Sequence, residues 1–170
     1  MPDSSPQRHR ASLSWSGSTG AGWSSYERRH VGLAPPAKGE IELTTGESHG
    51  DPSLMNPEQL VTIAAASCQM LVFLHLAAKA RADVVGYEDV ALATMAGEAA
   101  GAPGLGRIDL IELRPRIAIA GVEPPDERLE RLVELAHEHC YVANSLRCEV
   151  RIEPSFERVA RAGDGARTRS

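Results

Sequence analysis

The feature that most constrains this chain is residues 56–80, "NPEQLVTIAAASCQMLVFLHLAAKA". Asn56 suits a helix N-cap, Pro57 fits the first helical position, and Gln59 completes a capping-box spacing. The run predicts one long helix reaching about Ala82 and apolar nearly all round. Thr62, Ser67, Cys68, Gln69 and His75 interrupt it. A membrane span normally holds fewer polar groups, so the pattern favours a buried helix of a soluble protein. The helix also poses a chemical question. Cys68 lies near its middle, with Gln69 beside it and Glu58 in its first turn.

A length of 170 residues suits one domain. Residues 1–12 and 159–170 are polar and poor in apolar groups, which predicts mobile ends around a domain spanning 13–158. "LSWSGS", "SSYERRHVGLA" and "GEIELTTG" read as three strands, with "GSTGAG" as a turn. After the long helix, "YEDVALATMAGE" and "RIDLIELRPRIAIAG" read as strands joined by the Gly- and Pro-rich "AAGAPGLG". "EPPDERLERLVELAHEHC" carries one apolar stripe, Leu129, Leu132, Val133, Leu135 and Ala136, and predicts a second helix. "RCEVRIEPSFERV" closes the order as a strand. Strands grouped in blocks, not alternating with helices, predict an α+β fold with an antiparallel sheet. Aromatics make up only 4% of the chain, so its core must be aliphatic.

A net charge of −5 argues against nucleic acid as the main partner, because phosphate binding wants a basic face. The N-terminal stretch has no apolar signal region, which predicts a cytoplasmic protein. The three cysteines, Cys68, Cys140 and Cys148, show no CxxC or Cys/His zinc spacing. In a reducing compartment a purely structural disulfide is disfavoured, so paired cysteines there point to catalysis. Each cysteine also has a plain reading as a small buried hydrophobe, and Cys148 is best left at that. Spacing alone does not bring Cys68 and Cys140 together. His137 and His139 lie two apart on a helix and face different ways, so no metal site is expected. His75 follows Cys68 by about two turns, near the same face; a satisfied core histidine is its plainer reading. No GxSxG, HExxH or phosphate-cradling loop is present.

Taken together, "YERRH", "GDPSLMNPEQL", "AAASCQMLVFLHLAAKA", "YEDVALATM", "LRPRIAI" and "AHEHCYVANSLRCEVRIEP" resemble the OsmC/Ohr family over about residues 13–156. The resemblance implies a thiol-dependent peroxidase acting on organic hydroperoxides, with no cofactor and a dithiol reductant of lipoyl or thioredoxin type. It implies that Cys68 is the peroxidatic cysteine and Cys140 the resolving one. Arg28 matches the arginine that activates the thiolate, with Arg29 adjacent as the alternative, and Glu58 matches the acid that holds that arginine. The implied fold is two long helices on curved antiparallel sheets, in an intertwined homodimer. In the Ohr branch a proline follows the second cysteine; here Tyr141 follows Cys140, which places the chain in the broader OsmC-like group.

The physics of such a site is plain. The thiolate is the nucleophile, and an ordinary thiol is mostly protonated at neutral pH. An arginine is a permanent, planar cation able to stabilise a thiolate, and a carboxylate can orient it by a bidentate contact. An apolar wall around Cys68 would favour greasy hydroperoxides over hydrogen peroxide. Glu58 and Cys68 are ten residues apart, about 15 Å along a straight helix, so one helix cannot bring both to one site. If both act, the acid and its arginine come from a second subunit. Two rival readings are a small-molecule-binding or stress protein without turnover, and an enzyme using Cys68 alone.

Overall fold

The computed structural model describes residues 7–22, 25–46, 49–95 and 106–160. The chain divides between Leu60 and Val61 into two compact units.

The first unit holds a three-stranded antiparallel sheet in the order β1 (Ser12–Ser14), β2 (His30–Leu33), β3 (Glu40–Leu43). "GSTGAG" contains a single 3-10 turn, Thr19–Ala21. Residues 25–29, expected as strand, are irregular, and Ser24 at the start of that expected strand lies outside the described residues. Its backbone is claimed locally: the Glu27 carboxylate accepts the N–H groups of Arg28 and Arg29, both at 2.8 Å. Beyond β3 the chain returns beside it, and Thr44 N–H donates to the Met55 carbonyl at 2.9 Å. The helix start is the expected capping box. Gln59 N–H donates to Asn56 Oδ1 at 2.8 Å, and Asn56 N–H donates to Gln59 Oε1 at 2.9 Å.

Helix α1 runs Pro57–Lys79. It stops three residues short of the expected Ala82 because Arg81 turns left-handed, at φ 60°. Ala82 N–H then reaches back to the Ala77 carbonyl at 2.9 Å, the closure that satisfies a helix's last carbonyls.

In the second unit α1 packs with α2 (Asp126–Glu138) on two three-stranded sheets, β4–β7–β9 and β5–β6–β8. Each long strand expected from the sequence is bent, and its halves enter different sheets. They are β4 (Val84–Asp89) with β5 (Leu92–Met95), β6 (Ile108–Leu113) with β7 (Pro115–Ala120), and β8 (Glu149–Ile152) with β9 (Ser155–Val159). Two bends are chemically marked. Arg114 N–H leaves the ladder for Asp89 Oδ1 at 2.8 Å, and Pro115 and Pro154 have no N–H to give. Residues 96–98 of the "YEDVALATMAGE" strand, and most of "AAGAPGLG", lie outside the described residues.

The sheets are mixed, which corrects the antiparallel expectation. β4–β7 and β5–β6 pair antiparallel, but β6–β8 and β7–β9 pair parallel. The reason is α2: a helical connection carries the chain back, so the strands on either side of it run the same way. The main core joins Phe73 and Ala77 of α1, Ile117 and Ile119 of β7, and Leu129, Leu132, Val133 and Ala136 of α2. This is the expected α2 stripe, with Leu135 only half-buried. A second cluster centres on Ala65, Ile111 and Leu113. α1 is long and apolar enough to cross a bilayer, at mean hydropathy 1.9. Of that apolar stretch 28% is buried, with Phe73 and Ala77 in the main core.

Candidate active site

Cys68 rides on the edge of the buried face of α1, which is formed by Thr62, Ala65, Gln69, Phe73 and Ala77. It is half-buried, whereas Cys140 is fully buried. Cys140 stands where α2 ends, and caps a short helix, α3 (Tyr141–Ser145), that the sequence reading did not foresee. Its Sγ accepts the Ala143 N–H at 3.4 Å. Cys68 lies close enough to Cys140 to act on its ionisation. Burial pushes the Cys140 thiol up from 9.0 to about 11; the Ala143 N–H opposes this, and Cys68 adds to it. The structure therefore brings together two cysteines that lie far apart in sequence.

Gln69, the polar neighbour of Cys68, is buried and donates from Nε2 to the Val133 carbonyl at 3.1 Å. It ties α1 to α2 within one residue of the thiol. Its Oε1 has no hydrogen-bond partner among the described residues. The sequence flagged Gln69 as a polar group in an apolar run, but only the packing of α1 on α2 shows its partner.

The second group lies in the first unit. A hollow of about 390 Å³ is lined by Arg28 and Glu58 together with Trp15, Tyr26, His30 and Thr44, among others. Arg28 Nη1 donates to the Tyr26 carbonyl at 3.0 Å, and the guanidinium lies 4.1 Å above the Tyr26 ring. His30 Nδ1–H donates to the Arg28 carbonyl at 2.9 Å, which fixes that nitrogen as protonated. Arg29 turns elsewhere and forms ion pairs with Asp51 at 3.1 Å and Glu42 at 3.6 Å. Ser53 first, then Arg29, holds the Asp51 carboxyl below its usual range. Of the two adjacent arginines, Arg28 is thus the one that shares a hollow with Glu58.

Two other residues complete the inventory. His75 is exposed on α1, not the satisfied core histidine expected, because the buried face of the helix runs through Phe73 and Ala77. Cys148 packs against the Ala65–Ile111–Leu113 cluster and lines a small cleft with Arg107 and Asp109. Among the described residues no group of three acids, histidines or cysteines could hold a metal.

A family model described as OsmC-like protein matches residues 50–155. No curated protein matches the chain. Among solved structures, an OsmC-like protein of unknown function from Vibrio cholerae is 28% identical. The match covers 88% of this chain and 100% of that one, with a TM-score of 0.78. An organic hydroperoxide resistance protein of Legionella pneumophila is 18% identical, with 90% and 98% covered and a TM-score of 0.59. One from Bacillus subtilis is 15% identical, with 89% and 98% covered and a TM-score of 0.56. At those identities the last two likenesses show the fold alone.

Proposed function

We propose that this chain, which belongs to the OsmC-like protein family, is a thiol-dependent peroxidase that reduces organic hydroperoxides. The observation that carries the reading is the proximity of Cys68 to Cys140. Of the two, Cys140 is fully buried and Cys68 only half-buried, so the thiol a peroxide can reach is Cys68, and the nucleophile's role falls to it. The Cys68 thiolate attacks one peroxide oxygen, the O–O bond breaks, and the alkoxide takes a proton to leave as an alcohol. Cys68 is then a sulfenic acid. Cys140, close by, displaces water from it and closes a disulfide. A dithiol, of lipoyl or thioredoxin type, returns both sulfurs to thiols and is itself oxidised.

Arg28 stabilises the thiolate and hydrogen-bonds the peroxide, and Glu58 orients its guanidinium. Their common hollow supports this pairing, and the ion pairs of Arg29 favour Arg28 over it. Glu58 and Cys68 sit ten residues apart on α1, about 15 Å. Each site therefore takes Arg28 and Glu58 from a second copy of the chain, in a cytoplasmic homodimer. Apolar surface along α1 suits a greasy substrate.

The test is steady-state peroxide consumption, comparing cumene hydroperoxide with hydrogen peroxide and using dihydrolipoamide and thioredoxin in turn. Faster turnover of the organic peroxide is expected. A hollow of this size with an aromatic wall also suits a binding protein without turnover. Failure to consume either peroxide with either reductant selects that reading.

A further inference from the structure

Arg28 sits in the irregular stretch before β2, where no sheet ladder fixes the backbone. Neighbouring side chains fix it instead. The Glu27 carboxylate takes two successive backbone N–H groups, those of Arg28 and Arg29. Trp15 braces the same segment in two ways. Its indole Nε1–H donates to the Glu27 carbonyl at 2.8 Å. Its ring also meets Tyr26 edge-to-face, with centroids 6.3 Å apart and planes at 90°. Tyr26, so held, grips Arg28 through both its ring and its carbonyl, at 4.1 Å and 3.0 Å. The ring and the carbonyl of Tyr26 hold the guanidinium by two contacts, one at its central carbon and one at Nη1. The long arginine side chain is thus steered from one side, while its edge lines the hollow that Glu58 also lines.

We propose that Tyr26, braced by Trp15, is the positioning residue that sets the Arg28 guanidinium for reaction. This rests on the reading of Arg28 as the activating arginine. Tyr26 acts through Arg28 and does not itself touch the substrate. Its ring is what matters, because its carbonyl survives any substitution.

The experiment compares kcat/KM for cumene hydroperoxide in the full chain with Tyr26→Phe, Tyr26→Leu, Arg28→Ala and the double variant Tyr26→Leu/Arg28→Ala. Tyr26→Phe keeps the aromatic face and should stay within about twofold of wild type, whereas Tyr26→Leu should fall about tenfold through lost orientation. In the Arg28→Ala background, Tyr26→Leu should cost nothing further. Equal losses in both backgrounds, or a fully active Tyr26→Leu, overturn the proposal. If Tyr26→Leu does not fold, Trp15→Phe takes its place: it removes the indole donor, and its smaller loss should likewise vanish beside Arg28→Ala. A second readout needs no activity. The Arg28 side-chain protons should show upfield ring-current shifts by NMR that persist in Tyr26→Phe and vanish in Tyr26→Leu. Were those shifts present while Arg28→Ala kept the wild-type rate, the grip would stand and the assigned role of Arg28 would fall. Their absence from the wild type refutes the grip itself.

Discussion

Burial separates the two thiols, and the difference can be read residue by residue. Cys68→Ser should abolish peroxide reduction, because a serine hydroxyl neither ionises near neutral pH nor forms a sulfenic acid. Cys140→Ser should allow one turnover and then stall, with Cys68 left as sulfenic acid or over-oxidised. Mass spectrometry after stoichiometric peroxide reads both, and a Cys68–Cys148 bridge in the wild type would contradict the role given to Cys140. The raised Cys140 value also has a thermodynamic consequence. Above the ordinary value of 9.0, the unfolded chain releases a proton that the folded chain keeps until about 11. Stability contributed by this group is therefore intact below the lower value and lost as pH climbs through the upper one. Tyr87, pushed up by burial and then by Asp89, works in the same direction at still higher pH. Urea midpoints measured between those two pH values should fall less for Cys140→Ser than for wild type. Parallel declines would show that burial of this thiol is not responsible.

At the scale of elements, α1 is set at its start by the Asn56–Gln59 box and in its middle by Gln69. Removing the cap with Asn56→Ala should cost about 1 kcal/mol. Gln69 makes a sharper case. Its Nε2 bond to α2 is offset by a buried Oε1 without a partner among the described residues. Gln69→Met keeps the volume and removes both polar atoms, so it should stay within about 1.5 kcal/mol of wild type. Gln69→Ala leaves a cavity between α1 and α2 and should cost about 2 to 4 kcal/mol. Thermal denaturation separates the two, and similar losses would mean that the hydrogen bond, not the packing, dominates.

For the whole molecule, the proposed homodimer has a physical motive. Ile63 and Leu71 of α1 are 53% and 59% exposed in the single chain, large apolar side chains on a helix whose other face forms the core. A second copy covering this face would bury them. Mixing Glu58→Ala and Cys68→Ser chains after joint unfolding and refolding tests the shared site. A mixed dimer would hold one site with both lesions and one with neither, so part of the activity should return. If each chain builds its own site, nothing returns. The comparison requires Glu58→Ala to be strongly impaired alone. A clean monomer by light scattering at micromolar concentration refutes the dimer and the shared site with it.

Local chemistry made much of this chain legible. The capping box, the long apolar helix, the stripe on α2 and the α+β grouping depend on neighbours a few residues apart, and the sequence carries those directly. The segments around Cys68 and Cys140 pointed to the family for the same reason. What the sequence left open depends on contacts between distant residues. The strand runs looked continuous, yet Asp89 draws off the Arg114 N–H and the chain bends between two sheets. The parallel pairs follow from where α2 returns the chain. Arg28 and Arg29 are equivalent as letters. Only the fold gives one to the Tyr26 ring and the other to Asp51 and Glu42. Likewise no spacing joins residues 68 and 140; the packing of α1 against α2 brings them near each other.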